Sequence, residues 1–279
     1  MTELYIGLMS GTSVDSIDSV LINFDNNSFE ILEVNSSSIE KTLKDRIFNE
    51  VNKDKVSKAE IEKLDLELGK AFGNAAKKLL QKAEIDSCDV VAIGSHGQTI
   101  KHAPNAPSPF SLQIGSPQEI ANITNIKTVA DFRTADIAVG GQGAPLTPLF
   151  HSFILKKNKV SEALVINIGG ISNLTYFNDS TESIIAYDCG PGNCLIDTWS
   201  RSNNRGDFDA EGAWASSGKV EVNLLKEMLN DDYFSKHPPK STGTDYFNLK
   251  WINKKISEFS EVSTEDIQAT LTELSAQTI

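Results

Sequence analysis

The chain has 279 residues, more than one average domain, so two lobes or one large domain are expected, with enough core for a stable globular protein. Its formal net charge of -12 repels polyanions, which argues against nucleic acid and anionic membranes as partners; any polyphosphate would be held by backbone N–H groups, magnesium and a few cations. The opening residues lack a basic and apolar leader, and no apolar run approaches the ~20 residues that span a bilayer, so a cytoplasmic protein is expected.

The N-terminal segment reads strand, glycine turn, strand. Leu4 to Met9 leads to Ser10-Gly11-Thr12-Ser13, and Ser16 to Asp25 returns with Ile17, Val20, Ile22 and Phe24 as apolar sites. Phe29 to Val34 suits a third strand. Two helices follow, the second opened by a capping-box string, Ser57-Lys58-Ala59-Glu60, ahead of an apolar stripe at Ile61, Leu64, Leu68, Phe72, Ala75 and Leu79. A buried strand, Val90 to Ile93, delivers Gly94-Ser95-His96-Gly97-Gln98-Thr99, and a short one, Thr128 to Ala130, delivers Asp131-Phe132-Arg133. After the loop from Gly140 to Pro145, the apolar residues from Leu149 to Leu155 mark a helix.

A second block repeats the opening. Ala163 to Ile168 is a strand, Gly169-Gly170 a turn, and Ser172 to Phe177 and Ser183 to Tyr187 two more strands. Two such patterns outline a duplicated lobe with one phosphate loop per copy, although the repeat is short and coincidence stays open on pattern alone. The last third is helical near Lys219 to Leu229, Phe247 to Phe259 and from Thr264 onward, with Ser263 as the final N-cap aided by Asp266.

Chemistry concentrates in a few places. Glycine loops let backbone N–H groups approach an anion, and Thr12 and Ser13 add hydroxyls to the first. Neither loop is a P-loop or a dinucleotide fingerprint, and each also reads as a plain hairpin turn. Asp188-Cys189-Gly190-Pro191-Gly192-Asn193 joins a strand to a helix. There a carboxylate acts as general base or magnesium ligand, with Gly190 and Gly192 leaving room for substrate, or it merely makes an Asx turn. His96 lacks partners at metal spacing, so hydrogen bonding to a substrate is favoured over zinc, with a packed histidine equally open. If Asp131 and Arg133 lie on a strand, both point away from the Phe132 ring and either pair or hold a sugar hydroxyl and an acidic substituent. Cys88, Cys189 and Cys194 cannot all pair and are read as reduced thiols. Trp214 and Trp251 are read as buried.

Six ordered strings, Gly7 to Asp15, Gly94 to Thr99, Ala130 to Arg133, Gly140 to Pro145, Asn167 to Asn173 and Asp188 to Asn193, resemble the signature of the anhydro-N-acetylmuramic acid kinases. Pro238-Pro239-Lys240-Ser241-Thr242-Gly243 and the helix at Leu271-Thr272-Glu273-Leu274 are also similar. The resemblance implies an α/β protein of two actin-like, ribonuclease H-like lobes with a cleft between them. Residues 1–160 would carry the first phosphate loop, and residues 161–279 the second loop and the catalytic aspartate. ATP and magnesium are the implied cofactors. The family opens the 1,6-anhydro ring of its amino sugar with water at C1 and transfers the γ-phosphoryl group to O6, giving N-acetylmuramic acid 6-phosphate in cell-wall recycling.

By motif position Asp188 matches the general base. Gly11, Thr12, Ser13, Val14, Asp15, Ser16, Ile17 and Asp18 match the ATP-phosphate segment, joined by Gly169, Gly170 and Asn173 of the second loop. Ser95, His96, Thr99, Asp131, Arg133, Gly190, Gly192 and Asn193 fall in motifs that line the family's sugar site, with Arg133 expected on the lactyl carboxylate. No protein metal ligand is assigned. The family tends to be dimeric, so a homodimer is expected.

Two departures are visible. Ser16 stands where the family usually has glycine, adding a Cβ that would restrict the turn or crowd a phosphate. Family members also continue well past the last helix, so the second lobe is expected to be incomplete, Ile267, Leu271 and Leu274 to lack partners, and these residues alone to be weak or inactive as a kinase. Another actin-fold sugar kinase and a non-catalytic sugar-binding remnant are the rival readings.

Overall fold

The structure is a computed structural model that describes residues 3–11, 14–25, 28–51, 53, 55–104 and 106–279. It divides into two units, Met1–Gly143 and Ala144–Ile279. The division falls ahead of the residue-160 boundary read from the sequence. The helix at Pro148–Lys157 goes with the second unit, where His151 Nδ1 lies 2.9 Å from Thr175 Oγ1.

The first unit opens with β1 (Glu3–Met9), β2 (Ser16–Asp25) and β3 (Ser28–Ser38), an antiparallel meander. Alternating apolar residues drive it: Ile6, Leu8, Ile17 and Leu21 are at most 3% exposed. Helices α1 (Lys41–Val51) and α2 (Lys58–Ala83) follow. The stripe from Leu64 to Leu79 lies in the core as the helical spacing predicts. The capping box does not form. Ser57 makes no side-chain cap; its N–H donates to Glu50 Oε2 at 2.8 Å, and Glu60 accepts from Arg46 Nε at 2.7 Å, so Glu50 takes the place of Glu60 and Arg46 holds Glu60 away.

Strand β4 (Val90–Ser95) runs parallel to β1, and β7 (Thr128–Val129) parallel to β4, giving the sheet order β3-β2-β1-β4-β7. Between them stand a hairpin, β5 (Gln98–Ala103) and β6 (Phe110–Ile114), and helix α3 (Pro117–Thr124), neither of which the sequence reading anticipated. Helix α4 (Thr134–Ala138) closes the unit.

In the second unit, α5 (Pro148–Lys157) precedes the meander β8 (Glu162–Ile168), β9 (Ile171–Asn178) and β10 (Ser183–Pro191), so the three-strand pattern of the first unit does recur. Helices α6 (Cys194–Ser202), α7 (Val222–Leu229), α8 (Asp232–Ser235), α9 (Leu249–Ile256) and α10 (Thr264–Gln277) follow. Ser263 caps α10 by accepting from Asp266 N, as expected. Ile267, Leu271 and Leu274 are not short of partners: all three are at most 4% exposed, packed with Leu195, Leu224, Phe247 and Ile252. Burial of one such leucine stabilises by ~2 kcal/mol. Exposed apolar residues of this unit lie elsewhere and include Leu164, Ile166 and Ile168 on β8. Among the described residues β8 is an edge strand, whereas β1, its counterpart, is paired on both sides. Trp251 is buried and Trp214 half-buried.

Candidate functional site

The parallel strands of the first unit end together. Leu8 pairs with Ser95 and Gly94 with Val129, and the His96 amide donates to Leu8 O at 2.9 Å. Their C-terminal ends therefore present the Gly11 loop, Ser95-His96-Gly97 and Asp131 to Arg133 side by side, at the kind of edge where open α/β sheets bind ligands. A cavity of about 280 Å³ opens there, its polar lining including Asp65, Ser95, His96, Gln113, Asp131 and Thr134.

His96 and Arg133 meet in this region. Arg133 donates from Nε at 3.2 Å and lies with Nη2 at 2.8 Å from His96 Nε2, and Nη1 also donates to the Gly143 carbonyl. Because a guanidinium only donates, Nε2 must accept, so His96 carries its proton on Nδ1, which sits 2.9 Å from the Gly97 carbonyl. Burial, then the Arg133 charge, lower the imidazole pKa, keeping it neutral.

Asp131 and Arg133 do not share a strand. Strand β7 stops at Val129, Asp131 takes φ +58°, and Arg133 is already the N-cap of α4. The short helix wins because Thr134 donates to Asp131 Oδ1 at 2.6 Å, turning the chain before a third strand residue can pair. Ser95 is buried, and its hydroxyl has no hydrogen-bond partner among the described residues. Thr99 faces Gln113 across the hairpin, its hydroxyl accepting at 3.2 Å.

Beside this, among the described residues, Gly11 has open space where a Cβ would stand and the Ser10 hydroxyl is buried without a partner. Val14, a β-branched residue, holds φ +53° while its N–H donates to Gly11 O at 3.1 Å, a costly conformation of the type found at ligand loops. Thr12 and Ser13 lie outside the described residues. Asp15 pairs with Lys44, and Ile17 is core at 1% exposed. Asp18 accepts from Ser36 at 2.8 Å and from Ser16 at 3.3 Å. Ser16 opens β2, pairs with Ser38 and has no positive φ, so the backbone there does not require glycine.

In the second unit, Asp188 is 6% exposed near the end of β10. Its Oδ2 accepts from Thr242 N at 2.9 Å, its own N–H donates to Lys240 O at 3.1 Å, and its carbonyl accepts from the buried Tyr233 hydroxyl at 2.7 Å. Burial, then the nearby Asp188, push the Tyr233 pKa far up, so that hydroxyl keeps its proton. Asn173 stands directly across from Asp188 on β9.

Close packing requires glycine at both Gly190 and Gly192 here. A Cβ on Gly190 would meet Phe234 at 2.8 Å, and one on Gly192 would meet the Gly169 carbonyl at 2.3 Å. The Gly169-Gly170 turn points its carbonyls at the start of α6, accepting from Asn193 N at 2.8 Å, Gly192 N at 2.9 Å and Cys194 N at 3.0 Å. The Gly192 and Asn193 amides are thus bonded within the turn. Cys189 and Cys194 are buried thiols whose pKa burial raises, to about 12 for Cys194, and Cys88 is exposed.

Sequence reading missed Asp65, Tyr233 and the way Lys240 to Thr242 wraps Asp188. A signal for Asp65 existed, since it lies between Ile61 and Gly69 at helical spacing, on the inner edge of α2. No helix among the described residues is long and apolar enough to cross a membrane.

A family model described as anhydro-N-acetylmuramic acid kinase matches residues 3–279. The protein of Coxiella burnetii (strain RSA 493 / Nine Mile phase I) named "Anhydro-N-acetylmuramic acid kinase" is 46% identical over 280 residues, covering 99% of this chain and 74% of that relative. The protein of the same name from Shewanella loihica is 43% identical over 277 residues, with the same coverage. Among solved structures, an Aquifex aeolicus Ppx/GppA family member aligns with TM-score 0.38 and 9% identity over 100% of this chain and 89% of its own. A reductive activator for a corrinoid, iron-sulfur protein aligns with TM-score 0.40 and 15% identity, over 71% and 31% respectively. Those two likenesses are too slight to bear on the fold. The family match spans both units and every string described above: the chain belongs to the anhydro-N-acetylmuramic acid kinase family.

Proposed function

We propose that this protein is an ATP-dependent sugar kinase that opens 1,6-anhydro-N-acetylmuramic acid with water and phosphorylates its O6, yielding N-acetylmuramic acid 6-phosphate in cell-wall recycling. The two units then act as the paired actin-like lobes of the family, working as a homodimer in the cytoplasm. The observation that carries the reading is the carboxylate of Asp188, buried near a strand–helix junction and fixed by the Thr242 amide.

Asp188 takes a proton from the water that attacks C1, and the Thr242 N–H aims the carboxylate for that transfer. Tyr233 holds the backbone at Asp188 from below. The bond from C1 to O6 breaks as the water oxygen bonds to C1. Bound magnesium ATP supplies the γ-phosphoryl group that O6 takes, which disperses the charge of an otherwise poor leaving group. The open space at Gly11 and the orphaned Ser10 hydroxyl fit a phosphate at the first loop, and Val14, Asp15, Ser16, Ile17 and Asp18 hold that loop in place. The cavity lined by Ser95, His96 and Asp131 takes the sugar. Arg133, held by His96, has the charge and planarity to meet the lactyl carboxylate.

Purified protein incubated with ATP, magnesium and the anhydro sugar in ¹⁸O-water tests this. A 6-phosphate product carrying one ¹⁸O at C1 is expected. A phosphorylated sugar without the label, or phosphorylation only of other amino sugars, would sink the reading in favour of a different sugar kinase.

A further inference from the structure

Asp65 is the one carboxylate of α2 that lines the cavity of the first unit. Its Oδ1 accepts from Gly115 N at 2.8 Å and its backbone carbonyl from Ser116 N at 3.0 Å, which locks the side chain where α2 meets the turn after β6. No cation pairs with it among the described residues, and no donor there reaches Oδ2. Burial raises its pKa against the pull of the Gly115 N–H, so the carboxylate pays a desolvation penalty that the protein itself meets only in part. The Ser95 hydroxyl, fully buried on the same cavity, is likewise left without a partner. A buried hydroxyl short of a partner and a half-buried carboxylate whose Oδ2 no described protein donor reaches, on one polar cavity, point to a ligand that brings its own donors.

We infer that Asp65 is a sugar-binding, specificity-determining residue, accepting a hydrogen bond through Oδ2 from a neutral donor of the substrate. This rests on the sugar-kinase reading above. The anhydro sugar has two such donors, its 4-hydroxyl and its acetamido N–H, because O3 carries the lactyl ether and O5 and the single oxygen bridging C1 and C6 lie in acetal linkage. Its lactyl carboxylate is repelled by Asp65 and belongs toward Arg133, so the two residues fix opposite ends of the ligand.

The test is calorimetric binding of 1,6-anhydro-N-acetylmuramic acid to the wild-type protein and to Asp65→Asn, with steady-state kinetics on both. Asparagine keeps the acceptor for Gly115 N–H, so the fold is retained, and the melting temperature checks it. The expected result is a sugar Kd and KM raised about tenfold or more, with kcat and the KM for ATP nearly unchanged. Unchanged sugar affinity in the variant, beside a competent wild type, overturns the role of Asp65 alone. A fall in melting temperature with parallel loss of sugar binding, nucleotide binding and kcat also overturns it, since that marks a structural residue. A folded wild type that neither binds nor phosphorylates the sugar overturns the functional reading and this inference together.

Discussion

His96 accepts from Arg133 through the ring nitrogen that would carry its second proton: Arg133 Nη2 lies 2.8 Å from His96 Nε2. Protonation of the ring must therefore expel the guanidinium. The His96 pKa is lowered in the folded protein from an unfolded value of 6.5, so the associated stability is fully present above pH ~6.5 and is lost as pH falls through the folded pKa. Thermal unfolding between pH 8 and pH 5 should show the decline, with a smaller one in His96→Gln, whose amide still accepts from Arg133. His151 shifts in the same direction, so the difference between the two proteins, rather than the wild-type slope, is the measurement that counts.

Asp188→Asn keeps an acceptor for the Thr242 amide but cannot take a proton. Turnover should fall by roughly 10²- to 10⁴-fold, the range of general-base catalysis, with binding of sugar and ATP little changed. Single-turnover phosphorylation, followed beside the melting temperature, checks it. An active Asn variant would remove Asp188 from the chemistry.

Gly11→Ala and Gly192→Ala should behave in opposite ways. Space around Gly11 is open, so alanine there should leave stability alone and raise the KM for ATP by crowding the phosphates. At Gly192 the new Cβ would meet the Gly169 carbonyl at 2.3 Å, an overlap no rotamer can relieve, and denaturant unfolding should register a loss of about 3 kcal/mol.

Leu271→Ala tests whether α10 belongs to the core of the second unit. The residue is 0% exposed, so the cavity should cost ~2–5 kcal/mol in chemical denaturation. A cost under ~1 kcal/mol would mean that the helix is peripheral.

Both three-strand meanders and the α2 stripe were readable because periods of 2 and 3.6 are written locally. The β5–β6 hairpin was not. Lys101 and His102 interrupt the first strand, the second is only five residues long despite the alternation of Phe110, Leu112 and Ile114, and Pro104, Pro107 and Pro109 break the run between them. Helix α3 did announce itself through Ser116, Pro117 and Glu119, a cap, an N1 proline and an acidic first turn. At the candidate site, the strings around Gly11, His96 and Asp188 were legible as motifs. What holds them was not: Thr242 reaches Asp188 across 54 residues of chain and Asp65 reaches Gly115 across 50, and no local pattern encodes such pairings. Ser57 shows the converse, a local signal overruled when Glu50 and Arg46 took its intended partners.

The contrast between β1 and β8 sets how each strand exchanges its amide protons with solvent. Strand β1 gives its N–H groups to β2 on one side and β4 on the other, so deuterium should enter it slowly along its whole length. Among the described residues strand β8 bonds only to β9, and in an antiparallel pair alternate amides face away from the partner. Its exchange pattern should therefore read fast, slow, fast, slow from Glu162 to Ile168, because the bonded pairs run from Ser161–Asp179 to Gly169–Ile171, a residue-by-residue signature that any chain pairing with that edge would erase.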